Sequence, residues 1–556
     1  MKFMIDQGKA LIVSRQIPPD EPAGKPGNTS RWRRGRWLVV PCLMASLALP
    51  GLSQSPKPPE FKNPEDVWYD GGNLEVTASK KAIEWDGHHG VQTNVYSARY
   101  KEKDYPASYA PPTIRMKSDI TLHLKLTSAI DYKGAQPPCD EPHHQYTNLH
   151  YHGFEVSPKA PQDDVITIKV TNQPYQYAVV LPPGHPEGMF WYHPHPHGCS
   201  FFEVNGGLSG ILIVGDILKS QYPELAGIKE RILLLKDGDP RPQGGQELER
   251  RVLRMAEHPD EPAEPDPITV NGMSKPVIAM QTGEKQFFRI GNVGADSFVK
   301  LAIDPPVKAR IIAVDGMTTD KGLFLPSEGW LMPPGSRLEM VVEASAPGTY
   351  KIISREVPDA FAPPPDTLLA TIEATGSRML KANRLSMQAL DQGPKARSAY
   401  YPQMEEFQAP AAPEGCDVHS KPLPDPKFEG CTFVFGQEGG KFLINGKTYD
   451  ENVTDVSCKI GRDRVYDWTL CNDTGEHHAF HIHQIHFDIV DINGKPIDAP
   501  VRDVVDLPPQ IDEDHPGKTR IKMSFQHDYL AGKFVFHCHM LTHEDKGMMM
   551  NIELVP

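Results

Sequence analysis

The sequence predicts an all-β chain of three tandem β-sandwich domains, and three observations lead there. Short stretches rich in β-branched and aromatic residues recur after residue 60, among them ITLHLKL (120–126), VITIKV (165–170), ARIIAV (309–314) and KFVFHCHM (533–540). Such side chains suit the pleated, half-buried surface of a strand. The chain also holds 55 prolines and 45 glycines, which favour turns and short strands over long helices. Finally, one phrase occurs three times: YAVVLPPGHPEGMFWYHPHPHG (177–198), RLEMVVEASAPGTYKIISRE (337–356) and RIKMSFQHDYLAGKFVFHCHM (520–540). Each copy reads as strand, loop, glycine, strand, with Gly188, Gly348 and Gly532 at equivalent places. Five residues beyond them stand His193, Ile353 and His537, and two further on His195, Arg355 and His539. Repetition of this kind implies a repeated fold. The outer copies keep histidine and the middle one lacks it, so metal chemistry is expected in the first and third domains only.

In chain order, residues 1–55 read as an export segment. Arg31, Arg33, Arg34 and Arg36 precede an apolar run over 37–52 and then Ser53-Gln54-Ser55, the pattern of a basic region followed by a hydrophobic one. Pro41 and Pro50 interrupt the run, which favours cleavage over a retained membrane anchor. An exported protein, periplasmic or secreted, is expected, with no membrane association unless this segment is retained. A first domain then spans 60–218 and a second 225–375. A proline-rich connection follows over 376–430, and a third domain covers 431–556. Outside the export segment and the FHCH motif there are six cysteines, an even number that suits disulfides in an exported chain. Cys416 with Cys431, and Cys458 with Cys471, are the short-range expectations. A net charge of −14 argues against a nucleic-acid partner and mildly attracts positive substrates or metal ions.

Histidines carry the functional signal. H-x-H pairs occur in LHYHG (His150, His152), WYHPHPHG (His193, His195, His197), FHIH (His481, His483) and FHCH (His537, His539). At 23 histidines in 556 residues about one such pair is expected by chance. On a strand, residues two apart share a face, so each pair presents two imidazoles side by side. Many such rings brought together need a metal, because neutral imidazoles require partners on both nitrogens and charged ones repel.

FHCHMLTHEDKGMM (536–549) adds a second donor type. Cys538 lies between His537 and His539, so its sulfur points to the opposite face and belongs to a different metal centre. His543 follows after a turn, Met548 can approach as a weak axial group, and His478 supplies a second imidazole. Two histidines, one cysteine and a distant methionine form the ligand set of a blue-copper electron-transfer site. Zinc is the competitor, but a closed zinc site rarely needs methionine and zinc has no redox role.

With its four clusters in this order, the chain resembles the multicopper oxidases, the laccase-like family of three cupredoxin domains. The resemblance covers about residues 60–556 and implies tandem cupredoxin-like Greek-key sandwiches holding four copper ions: one type 1, one type 2 and two type 3. It implies that His150 and His481 bind the type 2 copper. His152, His193, His195, His483, His537 and His539 would bind the type 3 pair, and His478, Cys538, His543 and Met548 the type 1 copper. The family's second cluster has a single H-x-H; here Pro194 and Pro196 interleave three histidines, and the Trp191-Tyr192 lead-in selects His193 and His195. His197, His477 and His486 are then spare.

The resemblance further implies four one-electron oxidations of a donor coupled to reduction of O2 to two waters. Reducing O2 consumes protons, so an acid belongs near the cluster. Glu544, beside His543, is the candidate, as related bacterial enzymes carry a glutamate there; Asp163 or Asp164 is expected to hold the type 2 water. The partners are O2 and a small-molecule electron donor or metal ion. A laccase-like oxidase of phenols or aromatic amines is the leading expectation, because no methionine-rich insert is evident. A metallo-oxidase of Cu(I), Fe(II) or Mn(II), and a non-enzymatic copper-binding or structural envelope protein, stand as alternatives.

Overall fold

The computed structural model describes residues 58–240, 267–376, 430–461, 464–512 and 514–556, with Met387, Leu390 and Cys416 besides. The export segment and nearly all of the 376–430 connection lie outside the described residues. Among the described residues no helix is long and apolar enough to cross a membrane.

The fold is all-β: among the described residues six sheets pack in pairs as three sandwiches, each with its own apolar core. In the first, the sheet Lys103–Ser108, His88–Tyr100, Asn73–Trp85, Thr121–Ala129 and Tyr175–Val180 faces a second sheet. That second sheet runs Asp66–Trp68, Thr113–Met116, Gly210–Val214, Gly188–His193 and His150–His152. Alternation drives the packing: in Thr121–Ala129, Leu122, Leu124 and Leu126 point inward while Thr121, His123 and Lys125 stay half-covered.

The threefold phrase is a threefold structure. Gly188–His193, Gly348–Arg355 and Gly532–Cys538 each begin at the repeated glycine. Each lies between two antiparallel neighbours, the strand that follows it around the sheet and a strand from earlier in its own sandwich. In the first sandwich the earlier strand is His150–His152, with His150 opposite His193. In the third it is His478–Ile482, with His481 opposite His537. In the middle it is Val299–Asp304, with Ala302 opposite Ile353. The same register that pairs histidines in the outer sandwiches pairs apolar residues in the middle one.

Strand Gly532–Cys538 is buried on both faces beyond its first two residues. Phe534, Phe536 and Cys538 enter the core of the third sandwich. Val535 packs on the other side with Val165 and Met549. Full burial of a phenylalanine contributes about 1.5–3 kcal/mol, so Phe534 and Phe536 fix which way the strand faces and thereby where Cys538 points.

Two sequence expectations are corrected. VITIKV is no strand: 165–167 form a turn, because the Asp164 carboxylate accepts from the backbone N–H groups of Ile166 and Thr167 and from the Thr167 hydroxyl. A short polar side chain that offers the backbone such partners competes with strand pairing. Among the described residues the disulfides are Cys139–Cys199 and Cys416–Cys471, while Cys431 and Cys458 lie in the third core. Proximity in sequence misled, because Cys431 and Cys458 face the third core, whereas Cys471 is not among that core's residues and pairs with Cys416.

Candidate metal centre

Two donor groups assemble on either side of strand Gly532–Cys538. The first lies inside the third sandwich. Cys538 Sγ stands 3.6 Å from His478 Nδ1 and 3.7 Å from His543 Nδ1, and the two nitrogens are 3.1 Å apart. His478 comes from the neighbouring strand and His543 from the short helix Leu541–Asp545. The Thr474 hydroxyl holds the far nitrogen of His478 at 2.9 Å, and Phe442 stacks on the His543 ring at 3.7 Å. Met548 is buried in the same core, its carbonyl accepting from the Cys538 N–H. Burial pushes the Cys538 thiol well above its ordinary range and both imidazoles well below theirs. Without a cation this is a neutral thiol among neutral rings, and a bound metal ion would draw off the thiol proton.

The second group is larger and sits where the first and third sandwiches meet. His150, His152, His193 and His195 come from one, and His481, His483, His537 and His539 from the other, all fully or almost fully buried. Rings pair across the boundary: His150 stacks on His483 at 3.7 Å and His152 on His481 at 3.8 Å. His195 lies beyond its strand, after Pro194, where the sheet ladder has ended. The Asn148 side chain replaces the ladder, accepting from the His195 N–H at 2.6 Å and donating to its carbonyl at 3.2 Å.

Hydrogen bonds to backbone carbonyls, which only accept, fix where several ring protons lie. The Nδ1 atoms of His193, His481 and His537 donate to the carbonyls of Pro194, Asp503 and Cys538. His150 Nδ1 donates to the Asp163 carboxylate at 2.9 Å. Each of these rings therefore keeps a bare lone pair on Nε2, and those lone pairs converge. His537 Nε2 is 3.2 Å from His195 Nε2 and 3.3 Å from His483 Nε2, and His150 Nε2 is 3.5 Å from His481 Nε2. His152 Nδ1 meets His539 Nε2 at 3.2 Å, and His193 Nε2 has no hydrogen-bond partner among the described residues. Burial first, and then mostly the neighbouring imidazoles, hold these rings well below the ordinary histidine range, His193 at about 3 and His537 at about 4. Protons cannot reconcile so many facing lone pairs, whereas metal ions can. One ion bonded to nitrogens at about 2.0 Å holds them about 3.3 Å apart in tetrahedral geometry, which the observed separations match.

Glu544 lies one residue beyond His543, rotated by the helix toward the second group. Its carboxylate accepts from the Ser200 hydroxyl at 2.7 Å and comes within 3.1 Å of His537 Nδ1 and 3.6 Å of His195 Nδ1. Burial raises it well above the ordinary carboxylate range.

The two aspartates are placed differently. Asp163 is fully buried, but its oxygens bind the His150 ring, the Tyr151 N–H and the Gln484 amide; it orients a donor ring. Asp164 does not reach the cluster, because the turn at 166–167 occupies both its oxygens. Of the spare histidines, His197 packs on Tyr449 and His477 pairs with Asp506 at 2.6 Å. His486 bridges Glu155 and the Asp315 carbonyl.

The middle sandwich, expected to carry no metal ligand, nevertheless lines the cluster. Gly335, at φ +94°, lies so close that a Cβ there would stand 3.1 Å from both His152 and His539. Arg337, Asp315 and Asp503 form a buried ion cluster against His152. Sequence reading missed these residues and Asn148, since none sits in a histidine motif. The polar asparagine two residues before His150 was the one available signal.

The fold and the two donor groups suit a metal-binding protein with thiolate and imidazole donors. Multicopper oxidase family models match residues 242–372 and 424–555. The chain belongs to the multicopper oxidase family, which implies a copper-binding oxidoreductase that uses O2. The multicopper oxidase mco of Staphylococcus aureus is 23% identical over 470 residues, 83% of this chain and 86% of the relative. A laccase of Bacillus subtilis is 23% identical over 394 residues, 66% of this chain and 70% of its own. Among solved structures, the McoA multicopper oxidase of Aquifex aeolicus superposes with a TM-score of 0.67 at 18% identity, covering 90% of this chain and all of that one. A Campylobacter jejuni multicopper oxidase described as a metallo-oxidase gives 0.62 at 22%, covering 90% and 96%. At these identities the structural likeness shows the fold.

Proposed function

We propose that the chain is a laccase-like oxidase coupling four one-electron oxidations of a phenol or aromatic amine to reduction of O2 to two waters. The observation that carries the oxidase reading is the alternation in one strand, with Cys538 facing the third core while His537 and His539 face the imidazole cluster; the preference for organic donors rests on the sequence, where no methionine-rich insert is evident. His478, Cys538, His543 and Met548 would hold one type 1 copper. His150 and His481 would hold the type 2 ion, and His152, His193, His195, His483, His537 and His539 the type 3 pair. Bound copper supplies one-electron redox chemistry and the place where O2 is reduced.

The chain's own residues supply the rest. With copper bound, electrons would enter at the His543 edge, and the backbone around Cys538 would lead them to His537 and His539. The hydrogen bond from His537 Nδ1 to the Cys538 carbonyl shortens that path. Glu544 holds a proton between His195 and His537, and Asp163 fixes the His150 ring. Burial of both groups excludes bulk water and keeps organic donors away from the cluster.

One observation favours a second reading. Glu476 Oε1 stands 3.7 Å from His543 Nε2, and its side chain is 34% exposed. A carboxylate at that rim suits a cationic donor such as Cu(I), Fe(II) or Mn(II). Oxygen uptake by the copper-loaded chain, with phenols and aromatic amines set against those ions, separates the readings. Turnover of organic donors supports the first, and turnover of metal ions alone selects the second. Blue absorption with no uptake leaves a non-enzymatic copper protein. We also propose export to the periplasm or exterior, which N-terminal sequencing of the fractionated protein tests by finding a start beyond residue 55.

A further inference from the structure

We propose that Arg337, contributed by the middle sandwich, is a positioning residue for the imidazole cluster, acting on His152 and His481 through Asp503. This rests on the copper-oxidase reading above.

Arg337 is fully buried at the start of strand Arg337–Glu343. Its guanidinium grips Asp503 with two bonds of 2.6 Å and also donates to the carbonyls of Gly335 and Asp315. A two-pronged pair of this kind fixes orientation as well as charge. Asp503 then touches a cluster ring from each outer sandwich. Its carboxylate lies 3.3 Å from His152 Nε2, and its carbonyl accepts from His481 Nδ1 at 2.8 Å. The carboxylate of Asp503, a third-sandwich residue, thus meets the middle sandwich at Arg337 and the first at His152.

His152 is the exception among the cluster rings. His150, His193, His481 and His537 carry their proton on Nδ1 and face inward with Nε2. His152 faces His539 with Nδ1, so its proton belongs on Nε2, where Asp503 accepts it. Asp503 therefore selects the tautomer that leaves the inward nitrogen bare, and the two-pronged grip of Arg337 holds the Asp503 carboxylate in place. Asp315 supports the assembly from the other side, taking the Arg337 N–H at 2.7 Å. The motif glycine of LHYHG has its reason here: a Cβ on Gly153 would lie 2.4 Å from Arg337 Nη2 and 2.6 Å from Asp503 Oδ2.

The test compares full-length, copper-loaded chains carrying Arg337→Met, Arg337→Lys or Arg289→Met. Arg289 is an equally buried arginine of the middle sandwich that pairs with Glu230 and Glu339 and with no cluster ring. Copper released to a chelator is measured alongside blue absorption and the electron paramagnetic resonance signal of the type 2 ion. Loss of a group that orients a metal-binding histidine typically weakens metal affinity by roughly 10–100-fold. Arg337→Met should release cluster copper that much more readily and alter the type 2 signal, with blue absorption kept. Arg337→Lys should fall between it and the unsubstituted chain, and decides the matter if Arg337→Met does not fold. Arg289→Met should match the unsubstituted chain. Cluster affinity unchanged in both Arg337 variants, or weakened equally by Arg289→Met, overturns the inference. An unsubstituted chain that binds no cluster copper counts instead against the proposed function.

Discussion

The two donor groups lie back to back on one strand, yet they are built in opposite ways. The Cys538 group is local. His478, Cys538, His543 and Met548 all belong to the third sandwich, inside its apolar core, with Phe442 and Thr474 of the same sandwich steadying the rings. The imidazole cluster is distributed. His150 and His483 stack across a separation of more than three hundred residues, and a middle-sandwich arginine braces the junction. A centre within one core stands or falls with that core. A centre at a junction depends on how three cores dock, and its supporting residues are spread over all of them.

That contrast can be broken most severely at the shared strand. Cys538→Ser should abolish blue absorption and turnover while the cluster keeps its copper, as read by metal content per chain; surviving activity would remove the proposed electron route. Next, Glu544→Gln should slow oxygen uptake by roughly 10²–10⁴-fold, the usual contribution of a positioned acid. Its blue absorption should persist, since the Glu544 carboxylate faces His195 and His537 and not the Cys538 group. A smaller effect, confined to the junction, is expected of Gly153→Ala. The new Cβ meets the Arg337–Asp503 pair at φ +85°, a combination of crowding and backbone strain that costs about 1–3 kcal/mol. The melting temperature should fall, and cluster copper should loosen before blue absorption fades.

The mildest test uses a carboxyl that belongs to neither group. Glu203 is buried, and burial raises its carboxyl from 4.5 to about 8, although Thr147 and Tyr132 donate to it. The folded chain thus holds a proton that the unfolded chain releases from about pH 4.5 upward. The resulting stability is fully present below that pH and is lost as pH rises toward 8. Glu203→Gln should flatten the decline of melting temperature over this window; an unchanged slope would reject the assignment.

The sequence was legible where chemistry and strand period coincide. Cys538 between two histidines announces a two-sided strand, because side chains two apart share a face. The recurrent glycine before each second strand exposed the threefold repeat. Residues that act through docking left no such mark. Arg337 and Asp503 are ordinary charged residues in the text, and only the meeting of the sandwiches makes them partners. Asp164 was a candidate for the type 2 water because it follows the first histidine cluster, but its oxygens accept from the local backbone and from Thr167. The disulfides failed for a related reason, since Cys416 reaches Cys471 past the nearer Cys431.

The most direct measurement is an anomalous-scattering map of the copper-loaded crystal at the copper edge. One peak is expected among His478, Cys538 and His543, and three among the eight imidazoles on the other side of strand Gly532–Cys538. Peaks confined to one side of that strand, or lying away from these side chains, would contradict this expectation.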